Sequence, residues 1–173
     1  MRETTQRVDA WELARKGSEL HGVAALSGFV RLLSGLPEQA PSEVKWDLGG
    51  ATEKTGRRFL ALHAEATVRM ECQRCLELFD LGLVVDNRLE LVETETETEA
   101  EDDTEEDPDS PDRVLGSTHL DVLALVEDEL ILALPYVPKH DVCPSLPEEL
   151  KSAEGSESGR PSPFAVLAEL KKD

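Results

Sequence analysis

Basic residues are in short supply. Eighteen Lys and Arg stand against 37 Asp and Glu in 173 residues, a formal charge of −19. A protein that holds nucleic acid by bulk electrostatics needs a basic face, so that class is disfavoured at the outset. Aromatic rings are also scarce, with two Trp, one Tyr and four Phe. Most of these are needed for a core, which leaves few platforms for stacking single-stranded RNA. Long apolar runs are missing: no stretch approaches the ~18 residues of a membrane span. Residues 1–17 lack the apolar segment of a secretory signal. A soluble, cytoplasmic protein is expected. The cysteines, Cys72, Cys75 and Cys143, are odd in number and cannot all pair. A reducing compartment would disfavour structural disulfides in any case.

What is present is unevenly spread. The twenty residues from Glu93 to Asp112 hold twelve acids and no base, and so account for twelve of the nineteen excess negative charges. The Thr/Glu alternation there has the period of a strand but nothing to bury, and a solvated, disordered acidic loop over 93–112 is expected. A second low-complexity stretch, rich in Ser, Glu, Gly and Pro, reads as a linker over 144–161. The length suits one domain with its own core. The expected organisation is a single α+β domain over 1–143, the linker, and a short helix over 162–173.

Between Ser42 and Val92 the hydrophobic period is two. Val44, Trp46 and Leu48 alternate with charged neighbours; Leu60, Leu62, Ala64, Ala66, Val68 and Met70 follow; then Phe79, Leu81, Leu83, Val85, Leu89 and Leu91. This is the pattern of half-buried strands in an antiparallel sheet. The second run is long for one strand, so a bulge or bend near Ala64–Ala66 is expected. Helices are expected at Asp9–Lys16, at Ser27–Leu33, and from a Thr118 cap to Leu134, with Leu120, Leu123, Val126, Leu130 and Leu134 as its core face. Ser162 and Pro163 can cap and open a last helix in which Phe164, Leu167 and Leu170 share a face. The fold class is α+β: an antiparallel sheet packed with a few helices.

The sharpest local chemistry is Cys72-Gln73-Arg74-Cys75, at a chain reversal between two strand patterns. Two thiolates at this spacing can share one tetrahedral ion, and His140 with Cys143 would supply the other half of a Cys₃His set. A single Cys-x-x-Cys also occurs as reduced structural thiols, and the redox alternative wants a helix opening after a buried parallel strand. The core patterns do not need a metal to fold, so no tightly held zinc is expected and no cofactor is assigned. Glu127, Asp128 and Glu129 lie mid-helix. None has a carboxylate partner at i+3 or i+4, which argues against a catalytic or metal role and leaves a solvated helix edge or a partner-binding patch. Arg57, Arg58, Arg69 and Arg74 would face RNA if they formed one basic strip. The sequence holds no Gly-x-Ser-x-Gly elbow, phosphate-binding Gly-x-x-x-x-Gly-Lys loop or His-Glu-x-x-His helix, and no enzyme is expected.

Three segments together resemble a known family: Glu71-Cys72-Gln73-Arg74-Cys75-Leu76, the stretch from Asp121 through Lys139, and Pro163-Phe164-Ala165-Val166-Leu167. In order and spacing they are similar to the bacterial large ribosomal RNA subunit accumulation proteins, the YceD family. The resemblance implies a role in the synthesis, processing or stability of 23S ribosomal RNA and no known catalytic residue. Some relatives carry further cysteines after the main helix that would complete a zinc site, where this chain has Cys143 alone. Two function classes stay open. One is an acidic assembly factor that binds a basic ribosomal protein or a large-subunit assembly intermediate through Glu127, Asp128, Glu129 and the Phe164, Leu167, Leu170 face. The other is a direct RNA-binding or RNA-processing protein acting on 23S precursor.

Overall fold

The computed structural model describes residues 7–94 and 111–144. In chain order it contains β1 (Arg7–Val8), α1 (Ala10–Lys16), β2 (Glu19–Ala25), a 3₁₀ turn (Leu26–Gly28), β3 (Glu43–Thr52), β4 (Arg58–Glu71), β5 (Leu78–Val92), β6 (Asp112–Leu115), β7 (Leu120–Asp121) and α2 (Val122–Leu132). The main sheet has five strands in the order β2-β3-β4-β5-β6, and β1 and β7 form a separate pair. All pairings are antiparallel except β5–β6, which is parallel. The class is α+β with a mixed sheet.

The period-two runs become β3, β4 and β5. Their alternate side chains Val44, Trp46, Leu48, Leu62, Ala64, Val68, Leu83 and Val85 enter one core. The bulge expected near Ala64–Ala66 does not form: β4 pairs with β5 without a break from Phe59↔Glu90 to Glu71↔Leu78. Small Ala side chains at 64 and 66, both buried, leave the strand nothing to bend around. Strands β2 and β6 lie outside the period-two region. In β2 only half-buried and exposed residues alternate, so its sequence carries a faint signal. Asp112, expected inside the acidic loop, instead opens β6 opposite Leu89.

Both helices bury their apolar faces on the same side of the sheet. Asp9 caps α1 by accepting a hydrogen bond from the Glu12 N–H (3.0 Å), and Gly17 ends it in the left-handed conformation (φ 61°). The helix lies so close to β3 that a Cβ on Gly50 would sit 2.3 Å from the Leu13 carbonyl oxygen, which requires glycine there. The helix expected at Ser27–Leu33 is a 3₁₀ turn followed by further turns. Its buried residues Leu26, Phe29 and Leu32 recur every three positions, the period of tight turns rather than of an α-helix.

The main helix starts later than expected. Asp121 caps it, its carboxylate accepting from the N–H groups of Leu123 (3.1 Å) and Ala124 (3.2 Å). Thr118 bonds the His119 ring instead, because Leu120 and Asp121 are held in the pairing with β1. Among the described residues no helix is long and apolar enough to cross a membrane. Most of the acidic block, the linker and the expected C-terminal helix with Phe164, Leu167 and Leu170 fall outside the described residues.

Candidate metal centre

Strands β4 and β5 run past the edge of β3 as a two-stranded arm, and Cys72-Gln73-Arg74-Cys75 forms its turn. The turn has a defined internal geometry. The Cys72 N–H donates to the Glu77 carbonyl (2.9 Å), and the Leu76 N–H donates to the Cys72 carbonyl (2.8 Å), with Leu76 in the left-handed region (φ 62°). A non-glycine residue there is held by its surroundings at some cost. Folded this way, the turn aims the backbone N–H groups of Arg74 and Cys75 at the Cys72 sulfur, and that of Glu77 at the Cys75 sulfur.

The segment after α2 comes to this turn. The Gln73 N–H donates to the Pro138 carbonyl (2.9 Å), and the His140 N–H reaches the Cys72 Sγ (3.5 Å). The His140 ring packs on Phe79 with centroids 4.6 Å apart. The result is a cluster of four ligand atoms, from Cys72, Cys75, His140 and Cys143, all within 4.8 Å of one another. Cys72 Sγ lies 3.7 Å from Cys143 Sγ, and Cys75 Sγ lies 3.3 Å from His140 Nδ1. A tetrahedral zinc ion with bonds of about 2.3 Å to sulfur and 2.0–2.1 Å to nitrogen needs edges of about 3.8 Å and 3.6 Å. The donor set therefore fits: it could hold a metal ion such as zinc. No tightly held zinc is expected from the sequence, because the core patterns do not need a metal to fold, and no local pattern brings His140 and Cys143 to the turn. The Gln73–Pro138 backbone bond and the His140–Phe79 stack do the placing.

The electrostatics favour thiolate at one position. Burial opposes charge on Cys72, yet the N–H groups of His140, Arg74 and Cys75 and the His140 side chain hold its thiol down at about 5. Burial pushes the Cys75 thiol up, helped by the sulfurs of Cys72 and Cys143 and opposed by the Glu77 N–H. Cys72 and Cys143 are buried while Cys75 and His140 are half-buried, so the cluster is enclosed by protein on most sides. An ion held by all four residues would have no open position, as in structural rather than catalytic zinc sites.

The other expected site residues lie elsewhere. Glu127 and Glu129 are buried, not on a solvated edge. Glu127 accepts from the N–H groups of Arg31 (2.7 Å) and Leu32 (3.1 Å) and from Arg31 Nε (3.0 Å), which pins the loop after β2 to α2. Asp128 takes the same arginine (2.6 Å) and keeps half of its side chain exposed. Glu129 accepts from Asn87 Nδ2 (2.9 Å) on β5. The core face of α2 differs from the expected one: Val122, Leu125, Val126 and Leu130 are buried while Leu120, Leu123 and Leu134 are half-buried, and Glu129, four residues after Leu125 and seven after Val122, falls on that face.

The four arginines do not form one strip. Arg58 and Arg69 stand eleven strand positions apart, about 36 Å, and point to opposite faces of β4. Arg57 pairs with Glu53 (3.3 Å) and Glu90 (3.7 Å) and, with Arg88, covers the Phe59 ring. Arg58 lies over Trp11, Arg69 pairs with Asp80 (3.0 Å), and Arg74 donates to Cys143 Sγ (3.0 Å) and to the His140 carbonyl (2.8 Å).

Comparison with known proteins places the chain. The family described as Large ribosomal RNA subunit accumulation protein YceD matches residues 60–171, which include both halves of the cysteine cluster and α2. The chain belongs to the YceD family. A curated relative, the Large ribosomal RNA subunit accumulation protein YceD of Haemophilus influenzae, is 36% identical over 118 residues, covering 61% of this chain and 60% of that protein. No solved structure matches. The YceD match holds the candidate metal centre and the Glu127–Arg31 lock's helical half together in one segment.

Proposed function

We propose that this protein is a ribosome biogenesis factor that supports the synthesis, processing or stability of 23S ribosomal RNA without catalysing a reaction. Family membership carries the reading of purpose. Charge carries the reading of mechanism: the chain has an excess of nineteen negative charges, and Arg57 and Arg69 are already paired with its own carboxylates. A molecule of this kind suits a basic ribosomal protein or a large-subunit assembly intermediate better than bare RNA. Because Glu127 and Glu129 are used internally, the contacts pass to Asp128 and to acids on the sheet face opposite the two described helices. Glu43, Asp47 and Glu65 are exposed there on β3 and β4. The Phe164, Leu167 and Leu170 face and the acidic stretch 93–112 serve as further docking elements.

Purification of the tagged protein at low salt should bring down a basic ribosomal protein or a precursor particle. The interaction should weaken as salt is raised, since exposed charges are screened within about 8 Å at physiological ionic strength. A Glu43/Asp47/Glu65→Lys triple variant that stays folded should lose the partner and lower 23S RNA accumulation. Binding or cleavage of 23S precursor by the purified protein alone, at physiological salt, would replace this reading with direct action on RNA.

The metal reading is a second part of the proposal: Cys72, Cys75, His140 and Cys143 hold one zinc ion, which ties the tip of the β4–β5 arm to the segment after α2. The tetrahedral edge lengths support it. Protein purified without added metal should contain one zinc per chain, and Cys143→Ser should lose it. Metal-free wild-type protein that also fails to take up added zinc would sink it.

A further inference from the structure

We infer that Arg74 completes this centre: it balances the charge of the metal–thiolate group and holds the two halves of the ligand set together. The inference rests on the zinc reading above and adds a residue that is not itself a ligand.

Three cysteine thiolates and a divalent ion carry a net charge of −1 together with a neutral histidine. An uncompensated charge is costly in an enclosed site, and Cys72 and Cys143 are both buried. Arg74 supplies the missing positive charge at bonding distance, with Nε 3.0 Å from Cys143 Sγ. Its position in the chain matters as much as its charge. It sits between the two cysteines of the turn, and its backbone N–H serves the sulfur of Cys72. Its side chain crosses to the other half-site, where a second nitrogen holds the His140 carbonyl at 2.8 Å. One residue thus touches the first, third and fourth ligand residues. The planar guanidinium can donate to a sulfur and a carbonyl in fixed directions at once, which a lysine ammonium on a flexible stem does less well. Groups that orient and neutralise metal ligands in this way typically contribute 10–100-fold to metal affinity.

The same geometry removes Arg74 from a role facing RNA and explains why the turn carries a cation within a strongly acidic chain. Arg69, three positions before Cys72, has no such part: its guanidinium pairs with Asp80 across the β4–β5 arm. It provides a control of equal charge on the strand that leads into the turn.

The test is competition for zinc between a chromophoric chelator and four full-length proteins: wild type, Arg74→Gln, Arg74→Lys and Arg69→Gln. The visible spectrum of the Co²⁺ forms reports the ligand set. We expect the same tetrahedral, thiolate-rich cobalt spectrum in all four. Arg74→Gln should bind zinc about 10–100-fold more weakly than wild type. Arg74→Lys should fall between the two, because it restores the charge and not the fork. Arg69→Gln should match wild type. Equal zinc affinity in wild type and Arg74→Gln overturns the inference and leaves the zinc reading standing. An equal loss in Arg69→Gln overturns it too, by showing that any nearby cation has the same effect. A wild-type protein that binds neither metal overturns the zinc reading itself. Thermal melts of the metal-free forms should coincide, which separates a weaker site from a damaged fold.

Discussion

Two regions of this molecule bury polar groups, and they do so in opposite ways. On α2, the buried carboxylates are matched by donors: Glu127 takes two backbone N–H groups and a guanidinium nitrogen, and Glu129 takes an asparagine amide. At the tip of the β4–β5 arm, three sulfurs and a ring nitrogen converge on one another within 4.8 Å. The N–H groups aimed at Cys72 and Cys75 and the Arg74 contact come from the periphery. The first arrangement is complete as protein alone and acts as a lock between a loop and a helix. The second gathers electron-pair donors around a centre that a cation fits. Acceptors matched to donors mark architecture, and electron-pair donors gathered on one another mark a site that a cation fits.

The largest effect should come from breaking the second region. Zinc at about a thousand times its dissociation constant would contribute about 4 kcal/mol to stability. A strong chelator should therefore lower the melting temperature of zinc-loaded protein well beyond any point variant on α2, and zinc should restore it. Protein whose melting is unmoved by chelator would show that the cluster adds nothing to folding. The first region should answer differently. Glu127→Ala leaves the Leu32 N–H buried without its acceptor and frees Arg31, a cost of about 2–3 kcal/mol. Urea melts would measure it, and chelator should not change the difference. A loss under 0.5 kcal/mol, about that of a neutral surface change, would mean that water replaces the carboxylate.

The contrast also explains what could be read from the chain. The core strands were legible because Val44, Trp46, Leu48 and the runs after Leu60 and Phe79 repeat every two residues, and one buried face makes that period unavoidable. The first helix was legible to within a residue, with Asp9 serving as its cap rather than its first helical residue. Strands β2 and β6 were not. They gain their hydrogen bonds from partners far along the chain, and β6 follows a stretch whose charge dominates its composition. The turn half of the candidate metal centre was visible as Cys-x-x-Cys. The other half depended on a backbone bond from Gln73 to Pro138, 65 residues later, which no local pattern encodes. Glu127 and Glu129 are buried because each meets donors far along the chain, Arg31 and Leu32 for one and Asn87 for the other, which no pattern within the helix encodes.

A smaller effect should follow at the start of α2. Asp121 satisfies two N–H groups that would otherwise have no partner. Asp121→Ala should cost about 1 kcal/mol, and Asp121→Asn less, because the amide oxygen still caps. Because the cap stands at the opposite end of α2 from the segment carrying His140 and Cys143, zinc affinity should stay unchanged. A drop in affinity in the folded Ala variant would show that the two regions communicate through the helix.

The smallest effect lies on the sheet face opposite the two described helices, where His21, Asp47, His63 and Asp86 stand opposite one another across four strands. His63 Nδ1 is 2.7 Å from the Asp86 carboxylate and Nε2 is 3.6 Å from Glu65. The hydrogen bond to Asp86 raises the His63 pKa, burial opposes it slightly, and Glu65 adds to the rise. A raised pKa in the folded state means that the protonated ring stabilises the fold. That contribution is fully present below the ordinary value of 6.5 and is lost as pH rises through the higher, folded value. The pair is largely solvated, so it should amount to well under 1 kcal/mol. Asp86→Asn should bring the His63 titration, followed by proton NMR of the ring, back toward 6.5, and should remove the small extra stability on the acid side without touching the alkaline side. If the His63 midpoint does not fall in Asp86→Asn, the charge that holds its proton comes from Glu65 or Asp47. The Glu65→Gln variant would then carry the shift, and the acidic face would act on His63 as a field rather than through one bond.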